Sequence, residues 1–449
     1  MLAKIHIKKI QIVIIPYTDM RRDIMSKLLE WKNNPEKKPL IIRGVRQCGK
    51  TYIMKEFGKD NYSDVAYFNF EQDDISKYFE QDLVVERLVK TLGIHRSKSI
   101  TEDTLIVFDE IQTCPRAITS LKYFCEDRRF DVMCAGSLLG IKLAESSPPV
   151  GKVEEITMYP LSFREFLLAN GEEQLISYLE TDGSVSEISL FTDRLEGLYK
   201  EYLAVGGLPE VVSSWINNHD PARIESLSRS LISGYIDDIT RHSEGKVKEN
   251  GETVWKSIPG QLSRDNNKFI LGHVKEGVRA RDLWSSIDWL SRAGLVHLVP
   301  ITSGIGESPA FTADYSTFKL YCFDTGILRV LADVPISAIV NESQGYELFR
   351  GACTENFVLL EIRKMTESPI YCWRSGNKAE VDFLLRMGDS VIPIEVKSGN
   401  RMESKSLGRY LDSHSGRGII ASNIPLTVKD RVTFVPFYAM WILEKIAAE

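Results

Sequence analysis

Two stretches of the chain carry residues that could do chemistry on phosphates. The first, residues 44–51, reads GVRQCGKT and fits the pattern G-x-x-x-x-G-K-[S/T]. Glycines in such a loop let backbone N–H groups turn toward phosphate oxygens, and the helix that follows adds positive potential. We expect the lysine to reach the β- and γ-phosphates of ATP and the threonine hydroxyl to ligate Mg²⁺. The predicted nucleotide ligands are Gly44, Val45, Arg46, Gln47, Cys48, Gly49, Lys50 and Thr51.

Acidic residues complete this first site after another apolar run, TLIVFDE, at residues 104–110. Four apolar residues followed by two acids are typical of a buried parallel strand with carboxylates at its C-terminal end. We expect Asp109 to hold Mg²⁺ through water and Glu110 to polarise the attacking water, so hydrolysis is predicted as well as binding. Ser137 ends a similar run, FDVMCAGS, where it could contact the γ-phosphate or simply belong to a core strand. The predicted catalytic residues are Lys50, Glu110 and Ser137.

The second stretch, residues 380–399, reads EVDFLLRMGDSVIPIEVKSG. Two apolar runs joined by a turn predict a hairpin that carries Asp382 on one strand and Glu395 with Lys397 on the other. Glu355, on an upstream helix, could approach them. Two or three carboxylates could hold Mg²⁺ or Mn²⁺, and the lysine could position water for phosphodiester attack. The pattern D-x₁₀₋₁₅-E-x-K is common by chance, so cleavage of nucleic acid stays an open alternative to an inert domain.

The elements between these residues predict the fold class, which is α/β. Strand-like runs at 39–43, 65–71, 104–110, 130–137 and 154–160 alternate with helical stretches, as expected for a parallel sheet with helices on both faces. Residues 250–300 then suggest helix, turn, helix and strand, the outline of a winged-helix module. The predicted boundaries are 1–19 for a poorly ordered extension or mis-assigned start (alternatively an edge strand), 20–170 for the ATPase domain, 171–245 for a helical lid or linker, 246–335 for the winged-helix-like module and 336–449 for a small α/β domain.

Several blocks together resemble one family of predicted AAA+-type ATPases of bacteria and archaea. The blocks are LIIRGVRQCGKT, YFNFE, LIVFDEIQTCP, CAGSLLG, YPLSFREFL, YLAVGGLPEVV, IPGQLSRDNNKF, FKLYCFDTGIL and EVDFLL with PIEVKSG. In that family the ATPase domain precedes a domain of unknown function, number 4143. The resemblance implies an ATP-binding protein, and the GGLPE block resembles the Gly-x-Pro element of signal-transduction NTPases. That element implies contact between Pro209 and the adenine.

The C-terminal hairpin separately resembles the core of PD-(D/E)XK nucleases, whose fold is that of restriction endonucleases. Asp382 would take the Asp position and residues 395–397 the E-x-K position, whereas Glu380-Val381-Asp382 replaces the usual Pro-Asp. The resemblance implies a nuclease-like fold, with a metal site formed by Glu355, Asp382 and Glu395. It does not decide whether the site cleaves.

The charge and cysteine content of the chain limit the kinds of partner and the cellular location that we expect. The formal net charge is −6, so binding of DNA or RNA must rest on a local patch. The predicted helix 279–293 of the winged-helix module carries a net charge of only +1, which is little for binding phosphates. Seven cysteines without C-x-x-C spacing predict reduced thiols and a cytoplasmic protein, and no apolar run is long enough for a membrane span.

Two functional hypotheses follow from the sequence. In the first, Mg²⁺-dependent ATP hydrolysis switches a nuclease-like domain that acts on or near nucleic acid. In the second, the ATP-gated protein acts through a protein partner or self-association, and its nuclease-like domain is inert.

Overall fold

The structure is a computed structural model that describes residues 20–136, 151–182, 185–264, 268–304, 308–376, 379–398, 404–414 and 416–448. Residues 1–19 and Ser137, which figure in the sequence predictions, lie outside the described residues.

The described chain alternates helices and strands in its first third and then becomes mainly helical before a second set of strands. The α-helices are α1 (Ile24–Asn33), α2 (Lys50–Asn61), α3 (Val85–His95), α4 (Pro115–Asp127), α5 (Phe163–Ala169), α6 (Glu173–Ser177), α7 (Thr192–Val205), α8 (Pro209–Asn218), α9 (Pro221–His242), α10 (Gly245–Leu262), α11 (Ala280–Arg292), α12 (Thr325–Leu331), α13 (Ile336–Val340), α14 (Glu347–Met365), α15 (Lys405–Asp412) and α16 (Leu443–Ala448). The strands are β1 (Leu40–Arg43), β2 (Asp64–Asn69), β3 (Thr104–Asp109), β4 (Val132–Ala135), β5 (Glu154–Thr157), β6 (Val296–Thr302), β7 (Ala313–Cys322), β8 (Tyr371–Ser375), β9 (Ala379–Met387), β10 (Ser390–Lys397), β11 (Gly418–Ser422), β12 (Thr427–Lys429) and β13 (Val432–Pro436).

The first sheet has five parallel strands in the order β2-β3-β4-β1-β5. Its strands β3 and β4 are buried along their whole length, because helices cover both faces and no face is left for polar alternation. The prediction of a parallel α/β sheet is therefore confirmed. The order brings β1 next to β4, so the C-terminal ends of β1 and β3 flank a single crevice in which a ligand can bind.

The second sheet is mixed and has eight strands in the order β12-β13-β11-β10-β9-β8-β6-β7. The hairpin β6–β7 belongs to it, since β6 pairs in parallel with β8 through Ile301 with Cys372 and Thr302 with Trp373. This sheet runs across the boundary that the sequence placed at residue 335. The physical reason is that β6 and the C-terminal half of β7 are largely buried, and their mainly apolar residues are shielded from water when they join the C-terminal strands.

The two sheets share one hydrophobic core with the helices between them. Phe163 on α5, Tyr202 on α7 and Phe357 on α14 form a chain of edge-to-face contacts, with ring centroids 5.7 Å apart at each step. Such aromatic packing connects the first sheet, the middle helices and the C-terminal part through a dense, weakly compressible layer. Among the described residues, no helix has the length and apolar character needed to cross a membrane.

Candidate functional site

The loop between β1 and α2 folds back on itself around its lysine. The ammonium of Lys50 donates hydrogen bonds to the carbonyl oxygens of Gly44 and Val45, each at 2.8 Å. A Cβ at Gly44 would lie 2.2 Å from the carbonyl oxygen of Met158, so only glycine fits there. Gly49 has φ +100° just before the helix starts, a conformation that glycine adopts without strain. The loop therefore has the glycines and the cation that a phosphate cradle needs.

The predicted magnesium ligands are close together at the mouth of this loop. The hydroxyl of Thr51 donates to Oδ2 of Asp109 at 2.6 Å, and the hydroxyl of Tyr67 donates to the same oxygen at 2.8 Å. Asp109 is only 2% exposed and ends β3 next to β1's loop. A threonine hydroxyl beside a carboxylate supplies the hard oxygen atoms that Mg²⁺ prefers.

The catalytic candidate Glu110 follows directly in a left-handed conformation, φ +51°. This turn carries its side chain away from the strand direction, and the Nε2 group of Gln112 donates to Oε2 of Glu110 at 2.5 Å. The strand end therefore presents two carboxylates in different directions, one toward Thr51 and one held by Gln112. Ser137, the third predicted catalytic residue, lies outside the described residues.

Arg46 connects the loop to the middle helices. Its guanidinium contacts the carboxylate of Asp238 on α9 at 2.7 Å, and the hydroxyl of Tyr235 donates to its carbonyl oxygen at 2.8 Å. Burial raises the pKa of Asp238, while the charge of Arg46 opposes that shift. Burial also raises the pKa of Glu71, with Glu110 adding to the effect. Arg46 thus lies among several acids, one of which belongs to a helix outside the first sheet.

Arg22 supports the loop from behind, and the sequence analysis did not single it out. Its buried side chain donates to the Cys48 carbonyl oxygen at 2.9 Å, to Oε1 of Glu165 at 2.9 Å and to the Tyr159 carbonyl oxygen at 2.8 Å. Glu165 is itself part of a capping box with Ser162 at the start of α5. Arg22 therefore fixes the back of the loop, and its only signal in the sequence is a charged residue just before α1.

Pro209 is placed beside the loop by the GGLPE turn. It opens α8, and a Cβ built on Gly49 would lie 3.8 Å from its Cγ. The same turn links distant segments, because the Gly207 N–H donates to Oδ2 of Asp324 and its carbonyl oxygen accepts from the N–H of Leu161, both at 2.7 Å. One residue thus connects the end of the first sheet to the segment that follows β7.

Glycines allow that connection to be this close. Gly206 has φ +82°, and a Cβ there would lie 2.2 Å from Oδ1 of Asp324. A Cβ at Gly326 would lie 2.1 Å from the carbonyl oxygen of Val205. Asp324 also caps α12 by accepting the N–H of Ile327 at 2.9 Å. The two turns are therefore packed backbone against backbone, with a buried carboxylate between them.

The acids of the C-terminal part surround a lysine that the metal hypothesis did not include. The ammonium of Lys319 on β7 contacts Glu355 on α14 at 2.9 Å, Glu380 on β9 at 2.7 Å and Asp382 on β9 at 3.0 Å. The hydroxyl of Tyr321, two residues along β7 and on the same face, donates to Glu355 at 2.5 Å. Lys319 was missed because FKLYCF has the pattern of an ordinary strand and lay in a different predicted module.

The other two residues predicted for the metal site, Glu395 and Lys397, lie on β10 beside the cluster around Lys319. The predicted hairpin is present, since β9 and β10 pair antiparallel with Phe383 opposite Ile394. Lys397 contacts Glu395 at 2.6 Å. Burial, reinforced by the charge of Asp382, raises the pKa of Glu395 to about 7. Within the described ranges, no three Asp, Glu, His or Cys side chains are grouped so that they could hold a metal ion.

The parallel sheet and the phosphate cradle define the class: the N-terminal part of the chain is a P-loop domain of the ATPase type. Residues 36–167 match the family described as an AAA domain. Residues 196–337 and 350–439 match two families described as domains of unknown function, DUF8612 and DUF4143. Residues 36–167 are thus similar to AAA domains, and the segments after them are similar to domains of unknown function.

The individual proteins that resemble this chain share only a small part of its sequence. A protein of Haemophilus influenzae described as uncharacterized is 26% identical over 228 residues, which cover 49% of this chain and 48% of that protein. The match thus spans about half the length of this curated relative. The Walker-type ATPase PABY2304 of Pyrococcus abyssi is 15% identical, with a TM-score of 0.45, over 70% of this chain and 96% of that chain. The Aeropyrum pernix ORC1 protein in complex with DNA is 14% identical, with a TM-score of 0.29, over 70% and 91%.

Proposed function

We propose that the protein binds and hydrolyses ATP with Mg²⁺ and uses the nucleotide state to change the position of its middle helices and C-terminal sheet. The contact of the Thr51 hydroxyl with the Asp109 carboxylate, 2.6 Å long at the mouth of the glycine loop, carries the proposal. It brings together a helix N-terminus, a hydroxyl and a buried acid, as binding of a magnesium–phosphate group requires.

Each side chain has a separate task in this reaction. When bound, MgATP supplies the phosphoryl group and a divalent charge. Lys50 exchanges its contacts with Gly44 and Val45 for phosphate oxygens, and Thr51 with Asp109 holds the metal side of the nucleotide. Glu110 orients the attacking water.

A cavity beside the loop suits the base of the nucleotide. It has a volume of about 440 Å³ and lies between the segment before α1 and the outer side of α2. Its apolar lining is formed by Met20, Met25, Tyr52, Ile53 and Leu168, and the charged remainder by Arg21, Arg22, Asp23, Glu56, Asp60 and Arg164. Arg22 contributes to its wall and contacts the loop through Cys48, so one side chain connects the cavity to the loop. We propose that Pro209, which lies beside Gly49 and not in the wall of this cavity, contacts the base from the side of the loop.

The nucleotide state is transmitted along two connections. Arg46 lies in the loop and contacts Asp238, so a γ-phosphate that attracts Arg46 competes directly with the contact to α9. Gly207 connects Leu161 to Asp324, so displacement of the turn that carries Pro209 is passed to the segment after β7. Because packed interfaces shift between discrete arrangements, small changes at the loop can move whole helices.

Two different uses of this switch are compatible with the sequence. One is control of a nuclease-like domain that acts on DNA or RNA, with Glu355, Asp382 and Glu395 holding a second Mg²⁺ or Mn²⁺. The other is an inert C-terminal domain that binds a protein partner or a second copy of the chain. The position of Lys319 among the acids favours the second use.

The test of the ATPase is a pair of lysine variants on one helix. Lys50→Ala should abolish ATP hydrolysis and remove the rise in Tm on adding MgATP, whereas Lys59→Ala, exposed near the end of the same helix, should retain both. Normal hydrolysis by the Lys50 variant would refute the proposal. The switch itself is tested by hydrogen exchange of α9 with ADP and with a non-hydrolysable ATP analogue. Equal exchange in the two states would show that hydrolysis does not move this helix.

A further inference from the structure

The cluster around Lys319 is complete without any external cation. The lysine side chain is fully buried, with 0% exposure, and three carboxylates surround its ammonium at 2.7 to 3.0 Å. We propose that Lys319 is an internal cation that occupies the position where a divalent metal held by Glu355 and Asp382 would have to bind, so that this cluster takes up neither Mg²⁺ nor Mn²⁺ in the native chain.

The geometry makes the lysine and a metal mutually exclusive. Mg²⁺ requires its oxygen ligands at about 2.1 Å and Ca²⁺ at about 2.4 Å, so a metal shared by Glu355 and Asp382 would have to lie between them. The Lys319 nitrogen already contacts both acids, at 2.9 Å from Oε1 of Glu355 and 3.0 Å from Oδ1 of Asp382. A divalent ion bound to the same two oxygens would therefore lie next to the positively charged ammonium and be repelled by it.

Every acid of the cluster also has a further donor from the protein. Glu355 accepts from the Tyr321 hydroxyl at 2.5 Å, and Asp382 accepts from the backbone N–H of Val396 at 2.8 Å. Glu380 pairs with Arg374 as well as with Lys319. Buried carboxylates need such compensation, and here the chain supplies it from its own residues.

The exclusion rests on the position of the Lys319 ammonium among three carboxylates. Lys397, the lysine of the E-x-K pattern, contacts Glu395 instead and does not lie between the other acids.

The consequence concerns the activity of the domain. Metal-dependent attack on a phosphodiester needs a divalent ion to polarise the phosphate or to generate hydroxide. With Lys319 in place of that ion, the nuclease-like arrangement serves stability and recognition. The ATP-driven motion proposed above would then act on a binding partner of this domain, and the present inference holds whether or not that motion occurs.

The experiment is a comparison of Mn²⁺ binding, by calorimetry and electron paramagnetic resonance, to nucleotide-free full-length chains. Wild type and Asp382→Asn should bind Mn²⁺ identically, since any weak binding at the nucleotide loop is common to both. Lys319→Ala removes the charge and vacates the space of the side chain, and it should gain a site at least about tenfold tighter than any in wild type. The double variant Lys319→Ala with Asp382→Asn should lose the gained site. Lys397→Ala is the matched control and should gain nothing.

Two results would overturn the inference. One is a Mn²⁺ site in wild type that Asp382→Asn removes, and the other is a well-folded Lys319→Ala chain that gains no site. If the Lys319→Ala chain does not fold alone, it should fold in the presence of Mn²⁺ and lose Tm on chelation. If it folds under neither condition, the comparison of wild type with Asp382→Asn decides the question.

Discussion

Gly206 offers the sharpest test of the connection between the ATPase domain and the rest of the chain. Its backbone, φ +82° and ψ −170°, lies in a region that is almost exclusive to glycine, and a side chain there costs about 1–3 kcal/mol. A Cβ would also lie 2.2 Å from Oδ1 of Asp324, a buried carboxylate held by two backbone N–H groups. If the carboxylate is displaced, a buried donor loses its acceptor at a cost of about 1–3 kcal/mol. Gly206→Ala should therefore lower the free energy of unfolding by roughly 3–5 kcal/mol.

Gly197 provides a control of opposite sign in the same helix. It is exposed within α7, and a Cβ there meets no atom within 4 Å. Alanine at this position should raise stability by about 0.5–1 kcal/mol, because glycine is a poor helix former. Both changes add one methyl group, at positions nine residues apart in the sequence. The difference between their effects on the free energy of unfolding therefore reports the local environments of the two glycines.

The assay is thermal and urea unfolding of both variants beside wild type, followed by circular dichroism. We expect the Tm of Gly206→Ala to fall by about 3–6 °C and that of Gly197→Ala to stay level or rise slightly. In Gly206→Ala, the difference in α9 exchange between ADP and an ATP analogue should persist, while any difference in α12 disappears. A Gly206→Ala chain as stable as Gly197→Ala would refute the contact between Gly206 and Asp324.

Two further predictions concern buried charge. Arg22→Ala breaks a buried ion pair with Glu165 and two hydrogen bonds to carbonyl oxygens, so it should lower the unfolding free energy by about 3–5 kcal/mol. Its exposed neighbour provides the control, because Arg21→Ala should change the unfolding free energy by no more than about 0.5 kcal/mol. Equal effects of the two changes in urea unfolding would contradict the role of Arg22. Burial raises the folded-state pKa of Glu395 from 4.5 to about 7, so the folded chain binds this proton more tightly than the unfolded chain. The protonated Glu395 therefore contributes its full stabilisation below pH 4.5, and this contribution is lost as the pH rises toward 7. Glu395→Gln should flatten the dependence of Tm on pH between these values. A pH profile identical to that of wild type would show that Glu395 titrates normally.

The nucleotide loop could be predicted because the residues that define it are close together in the sequence. The loop residues 44–51 are contiguous, and the acids at 109 and 110 follow directly from one apolar run, so composition and spacing define both halves. The parallel sheet also follows from such runs, since helices on both faces leave each strand apolar on both sides. The prediction that Thr51 and Asp109 act on one ion needed only the rule that parallel strands end at the same edge.

The remaining contacts depend on pairs far apart in the sequence. Arg22 reaches Glu165, Gly207 reaches Asp324, and Lys319 reaches Asp382, with sequence separations of 143, 117 and 63 residues. No periodicity or spacing within one strand indicates such a partner. The hairpin β6–β7 illustrates the same limit, because apolar strands after a helical pair fit a winged helix as well as they fit the edge of a larger sheet.

The shared sheet has a consequence for the order of events on the ribosome. β7 emerges about 50 residues before β8, so at about 5–20 residues per second the hairpin waits roughly 2–10 s for its neighbour. During that interval the edge of β6 that pairs with β8 has no partner strand, and Glu355 is the first of the three acids of Lys319 to be synthesised, while Glu380 and Asp382 follow only with β9. The nascent chain therefore passes through a state with an open strand edge and an uncompensated charge, which is the kind of state that chaperones shield. Synthesis that pauses between residues 322 and 371 would prolong this exposure, whereas the nucleotide loop, complete by residue 157, would already be able to bind ATP.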